Sequence, residues 1–233
     1  MVEDIVPSLL KKTRSDFEKS RESNEILKAL AQKLEDRKAT YIDANRYSIE
    51  VGQEISKALG KHITVDSLPE GKMHYNIADR ILNETLSRNH ELVSEYTEEV
   101  QKQLNENAQL GLAVKTAELN QDRIDGLIDK LSDAESFEDV EWLLEEPIVN
   151  FSQSVVDEIL KLNVAFHHKA GLNPEVIRTA TSFCCDWCQK KQGRYKYPNV
   201  PNDIYKRHNR CQCTVEYDPK SGRKQNVWNK TWR

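Results

Sequence analysis

The fifty-two residues from Ser8 to Leu59 read SLLKKTRSDFEKSRESNEILKALAQKLEDRKATYIDANRYSIEVGQEISKAL. They contain no proline, and their one glycine is Gly52. Apolar residues recur at Ile26, Leu27, Leu30 and Leu34, and again at Tyr47, Val51, Ile55 and Leu59. This three-to-four residue period, with charges on the remaining faces, predicts one or two long amphipathic helices ending near Gly60. Narrow apolar stripes bury little surface per residue. Segment 1–60 is therefore expected to be the least stable part of the chain. Its stripe Ile26, Leu27, Leu30 and Leu34 has two possible fates, docking on another protein or packing back on the chain's own helices.

Working outward, Gly60 to Gly71 reads as a loop with a short extended piece at His62 to Val65. Helical spacing resumes at Ile77, Ile81 and Leu82 and runs on through Leu86, Val93, Val100 and Leu104. Gly111 and Gly126 suggest breaks or close packing. Ser132 and Ser136 look like helix starts, and Ser136 with Asp139 resembles a capping box. Pro147 ends one helix or opens the next. The set Val155, Val156, Ile159, Leu160 and Val164 predicts a helix that stops near Gly171.

Beyond that point the character changes. Four of the seven prolines and all five cysteines lie in residues 172–233. Val176-Ile177 suggests a strand, and Cys213, Val215 and Tyr217 alternate with polar residues as a strand does. The fold class predicted is mainly α: an elongated helical body with a small C-terminal α+β Cys/His module of zinc type. Its parts are an N-terminal helical segment (1–60), a helical body (61–175) and the metal-binding module (176–233).

Composition agrees with such a shape. Apolar residues make up 38% and charged residues 31% of the 233, and the mean hydropathy is -0.73, so a large spherical core is not expected. No apolar run reaches the roughly 20 residues that span a bilayer. Met1 to Leu10 carries no hydrophobic signal core, which predicts maturation in a reducing cytosol and no membrane partner. Residues 189–233 hold 12 Lys/Arg against 3 Asp/Glu, or +9. Residues 1–188 then carry 22 basic and 35 acidic groups, or -13. This split suits either two solvated surfaces or a basic module that meets phosphate.

One constellation carries chemistry. Cys185 and Cys188 form a C-x2-C pair, and His208, Cys211 and Cys213 follow as H-x2-C-x-C after 19 residues. Reduced cysteines clustered in this way point to a metal before they point to disulfides. Zinc takes four such nitrogen and sulfur ligands in closed structural sites. Cys185, Cys188 and Cys211 are the first three candidates, His208 and Cys213 compete for the fourth place, and Cys184 is the spare. A disulfide, a thioredoxin-like redox pair and a Cys/His nucleophile are the other chemistries open to these residues, and no βαβ setting or protease signature accompanies them. Tyr195, Tyr197 and Tyr205 interleave with Arg194, Lys196, Lys206, Arg207 and Arg210. Such mixing serves single-stranded nucleic acid or, more often, the small core of a zinc module. The remaining histidines, His62, His74, His90, His167 and His168, read as surface or helix-end residues.

Arg178, Cys185-Asp186-Trp187-Cys188, Gly193, Tyr195, Tyr197-Pro198, Arg207-His208, Cys211 to Pro219 and Lys224 to Trp228 together resemble the Mu F-like head-morphogenesis family of tailed phages and prophages. The resemblance covers about residues 176–233. Residues 70–175 also look like the versions from phages of Gram-positive bacteria, less specifically. It implies a minor capsid protein near the portal vertex, a virion location after assembly in the host cytoplasm, and no enzymatic activity. It also implies roles in head assembly and in DNA retention or delivery, with portal, scaffold or major capsid proteins as partners. Its Cys/His set falls on Cys185, Cys188, His208, Cys211 and Cys213. Some relatives carry an enzyme after this module or a longer N-terminal region that meets the portal. Here the sequence stops just after Trp232, so the resemblance leads one to expect no such enzyme, and against relatives with the longer N-terminal region it leads one to expect a short form. A zinc-module DNA-binding accessory protein and a phage-borne nuclease are the competing expectations.

Overall fold

The computed structural model describes residues 4–181 and 184–220. The motif at Lys224 to Trp228, Trp232 and the last basic residues lie outside the described residues.

The long N-terminal pattern is divided into three helices, α1 (Val6–Ser23), α2 (Glu25–Glu35) and α3 (Tyr41–His62). The breaks occur at capping residues that the apolar period does not reveal. Asn24 leaves the helical conformation, and its Oδ1 accepts from the backbone N–H groups of Ile26 at 2.9 Å and Leu27 at 3.1 Å. Arg37 has φ 59°, and Asp43 then reaches back to the Thr40 backbone N–H at 3.0 Å, a capping-box contact. The α2 stripe is satisfied within the chain. Leu27 and Leu30 are buried, whereas Ile26 is 39% exposed. Two side chains of α4 (Tyr75–Asn107) close over this helix: Tyr96 Oη donates to the Leu30 carbonyl at 2.9 Å, and Gln103 Nε2 to that of Leu34 at 3.0 Å.

An extended segment leads from α4 to α5 (Gln121–Asp133), where Asn120 caps by accepting from Arg123 N at 3.0 Å. Three expectations fail here. Ser132 lies in the last turn of α5 and starts nothing, and Gly126 sits inside α5 without a break. Ser136 caps only a 3-10 turn, Phe137–Asp139, accepting from Glu138 N at 3.3 Å. A second short turn, Glu141–Leu144, follows. Together they drop Phe137, Leu143 and Leu144 into the core. The next α-helix, α6 (Glu146–Lys169), begins at Glu146 with Pro147 in its first turn, six residues before the reading from Ser152 suggests.

The described residues end in a small antiparallel sheet, β1 (Glu175–Thr179), β2 (Gly193–Lys196) and β3 (Thr214–Asp218), in the order β2-β1-β3, with α7 (Asp186–Lys190) between β1 and β2. Strand β2 is not among the strands read from the sequence, although Tyr195 and Tyr197 alternate there with Arg194 and Lys196. Buried apolar side chains run without interruption from Val6 through the helices to Val176, Ile204 and Val215 of the C-terminal part.

Helix α3 is the centre of this packing, and its tightest contact is with α6. A Cβ on Gly52 would stand 2.6 Å from Ser152 Oγ and 2.8 Å from Val149 Cα, so the glycine sets how closely the two backbones approach. Gly52→Ala should therefore force the helices apart and cost about 1–3 kcal/mol, read as a lower urea midpoint. An unchanged midpoint would contradict the packing described.

A buried polar chain joins β3 to the helices. Tyr41 Oη donates to Gln101 Oε1 at 2.5 Å, and Gln101 Nε2 donates to Tyr217 Oη at 2.6 Å. Tyr217 Oη, 3.2 Å from His167 Nδ1, then donates to the ring. His167 is fully buried, not a helix-end surface residue, and burial pushes its pKa down to about 4. Between pH 6.5 and about 4 the unfolded chain takes up a proton at this ring that the folded chain refuses. Stability from this group should fall as pH drops through that window and stop falling below it. Urea midpoints of His167→Gln should consequently depend less on pH in this range than those of the wild type; parallel curves would contradict the assignment.

Candidate metal centre

The two halves of the Cys/His pattern meet because the sheet brings them together. Strand β1 pairs on one side with β2, Arg178 opposite Gly193, and on the other with β3, Thr179 opposite Thr214. The turn carrying α7 and the strand start after Cys213 thereby arrive at one end of β1. Within the turn, Gln189 N donates to Cys185 O at 3.1 Å, which places Cys188 one helical turn from Cys185. In the second half Cys211 N donates to His208 O at 3.1 Å, and Arg210 takes φ 59° to make the bend.

All five predicted residues come together, in two overlapping groups. Cys185, Cys188 and His208 offer ligand atoms within 4.8 Å of one another, and so do Cys188, Cys211 and Cys213. Cys188 belongs to both. Its Sγ lies 3.0 Å from His208 Nε2 and 4.0 Å from Cys211 Sγ. Sulfurs around a tetrahedral ion at about 2.3 Å stand roughly 3.8 Å apart, so the second distance already suits a shared cation. His208 is oriented as a ligand needs to be: Nδ1 must donate to the Asn209 carbonyl at 2.8 Å, which leaves the Nε2 lone pair facing Cys188. Cys188, Cys211 and Cys213 are buried, Cys185 is exposed and His208 half-buried. Cys184 packs against the cluster but belongs to neither group.

Charge and burial act on the sulfurs in opposite senses. Burial pushes the Cys188 thiol up to about 12; Arg178 pulls against it, and Cys211 and Cys213 add to it. Burial also acts to raise Cys211, but the Arg207 guanidinium, the Cys213 backbone N–H and Arg178 outweigh it and lower that thiol. Arg178 stands among the residues that carry the family resemblance, but the sequence assigns it no role at the site. It is 1% exposed. Its Nη2 lies 3.4 Å from Cys188 Sγ and 3.8 Å from Cys211 Sγ. A signal was present, because an arginine two positions after Val176 falls on the same inward face of strand β1.

The module is docked on α6 through this region. Arg207 and Asp157 form a bidentate pair with side chains 3% and 5% exposed, at 2.7 and 2.6 Å. Burial alone would favour a neutral Arg207; the Asp157 carboxylate overrides it and raises the pKa. The same guanidinium donates to the Cys213 carbonyl, and Gln153 Nε2 donates to the Cys211 carbonyl at 2.8 Å.

The cluster can hold a metal ion. Comparison with protein-family models, curated proteins and solved structures found no match. Tyr195, Tyr197 and Tyr205 pack against the core, so their rings serve the module before any base. Lys190, Arg194, Lys196, Lys206 and Arg210 are exposed, whereas Lys191 is tied to Asp203 at 2.7 Å.

Removing one partner of the Arg207–Asp157 pair leaves a buried charge without its counter-ion. Asp157→Asn should destabilise the protein by about 3–5 kcal/mol, measured by urea unfolding, and should expose the module to proteolysis first. A loss below about 1 kcal/mol, the scale of a surface pair, would contradict the buried geometry.

Proposed function

We propose that the chain is a minor structural head protein of a tailed phage, placed near the portal vertex, whose C-terminal module is closed by one structural zinc ion. The observation that carries the metal in this reading is the pair of ligand groups, Cys185, Cys188 and His208 with Cys188, Cys211 and Cys213, that share Cys188 beside α6. Cys188 is the common ligand, Cys185 and the oriented His208 complete one side, and Cys211 is the fourth. Cys213 stays as a buried thiol behind them. This donor set is rich in thiolate, the choice of a closed structural zinc rather than of a catalytic one with an open position. Two nearby carboxylates are also committed, Asp157 to Arg207 and Asp203 to Lys191, which leaves neither free as a base. The resemblance of residues 176–233 to the Mu F-like family gives this module its setting: the virion, with portal, scaffold or major capsid proteins as partners. The exposed basic side chains favour, as a second role of the same module, weak non-specific contact with DNA, with the steep salt dependence of a charge-driven interaction.

Native protein purified under reductant should contain about one zinc per chain. Cys185→Ser and Cys211→Ser should lose the ion and render residues 176–220 sensitive to protease while the helices survive. Metal-free native protein, or unchanged protease resistance in both variants, would overturn the zinc. The head assignment is tested by the protein composition of particles purified from a producing strain: the chain should be present in full heads at low copy number, and its absence from procapsids and heads alike would overturn that assignment.

A further inference from the structure

Arg178 has an unusual problem for a cation. Its side chain is fully buried, and a guanidinium stays charged in proteins. Yet none of its hydrogen bonds among the described residues goes to a carboxylate. Nη1 donates to the carbonyls of Ile204 and Lys206, the latter at 3.2 Å. Nη2 faces only the sulfurs of Cys188 and Cys211, and Nε has no partner. The Trp187 ring, which sits inside the C-x2-C turn, lies 5.2 Å from the guanidinium carbon and holds the group over the turn. Carbonyls and a ring face offer partial charge; an uncompensated buried cation costs several kcal/mol. Among the described partners of Arg178, full negative charge is available only from the sulfurs, once a metal binds them as thiolates. A zinc ion with three thiolates and one neutral imidazole carries a net charge of -1, which one guanidinium balances.

We propose that Arg178 is the outer partner of the metal centre, a positioning residue that donates to metal-bound Cys188 and Cys211 and thereby sets how tightly the ion is held. The proposal rests on the zinc reading above. It separates Arg178 from Arg207, whose charge is already met by Asp157, and it explains why an arginine occupies an inward strand position.

The test compares Arg178→Met and Arg178→Lys with the wild type in the full chain, loaded with zinc or with cobalt(II). Arg178→Met should bind zinc about 10–100-fold more weakly in competition with a chromogenic chelator. Its sulfur-to-cobalt charge-transfer band should move to lower energy while the visible tetrahedral bands persist, because the sulfurs lose a hydrogen-bond donor without losing the ion. Arg178→Lys should recover part of the affinity. Affinity within about twofold of wild type and an unmoved band in Arg178→Met would overturn the proposal. If Arg178→Met loses the module altogether, Arg178→Lys decides. A shifted band with affinity between those of wild type and unfolded module supports the role. Loss of the module in both variants makes Arg178 a mere strut and overturns it. A wild-type chain that binds neither zinc nor cobalt overturns the metal reading itself.

Discussion

A buried guanidinium must find negative charge within reach, and two of them fix how the C-terminal module is built and where it sits. Arg207 finds Asp157 on α6, and by donating also to the Cys213 carbonyl it ties the second ligand loop to the helix. Arg178 finds the sulfurs of Cys188 and Cys211. Both constraints are directional, because the planar fork donates along fixed lines. A small sheet of three short strands has little core of its own. The ion pair to α6 and the hydrogen bonds of Arg178 to the two sulfurs therefore add to what the module buries against the helices.

The helical body meets the complementary problem of making rigid structure from narrow apolar stripes. It does so by layering several helices around α3 rather than by widening any stripe. Gly52 lets α6 approach α3 at backbone distance. Tyr47 of α3 stacks on Tyr96 of α4 with ring centres 4.1 Å apart. Polar side chains are drawn into the same layers and paired there, as with Asn89 Nδ2 donating to Ser152 Oγ at 2.6 Å. The Tyr41, Gln101, Tyr217 and His167 chain extends this principle from the helices to β3.

Much of this was legible in sequence because it is periodic or local. The repeats at Tyr47, Val51, Ile55 and Leu59 define α3, and the cysteine spacing names the five residues that converge. What was illegible depends on long-range pairing. Asn24 and Thr40 look like ordinary polar residues until their caps divide the first helices. The serines at 132 and 136 have the chemistry of caps, but the first falls inside a helix already satisfied and the second serves a single 3-10 turn. His167 reads as a helix-end residue, because nothing local reveals that Tyr217, fifty residues later, will cover it. Arg178 carries a faint signal in the strand alternation, and its role emerges only when the two sulfurs stand beside it. The docking role imagined for the Leu27 and Leu30 stripe gives way to packing under α4, since an apolar stripe does not announce its partner.

The thiol and imidazole cluster, as a metal centre of three sulfurs and one nitrogen, is the point on which the C-terminal module depends. X-ray absorption at the zinc edge of native, reductant-protected protein tests it most directly. Three sulfur scatterers near 2.3 Å and one nitrogen near 2.0 Å around zinc are predicted, at the ordinary distances of a closed tetrahedral site. A spectrum with only oxygen and nitrogen neighbours, or no zinc edge above background, would contradict it.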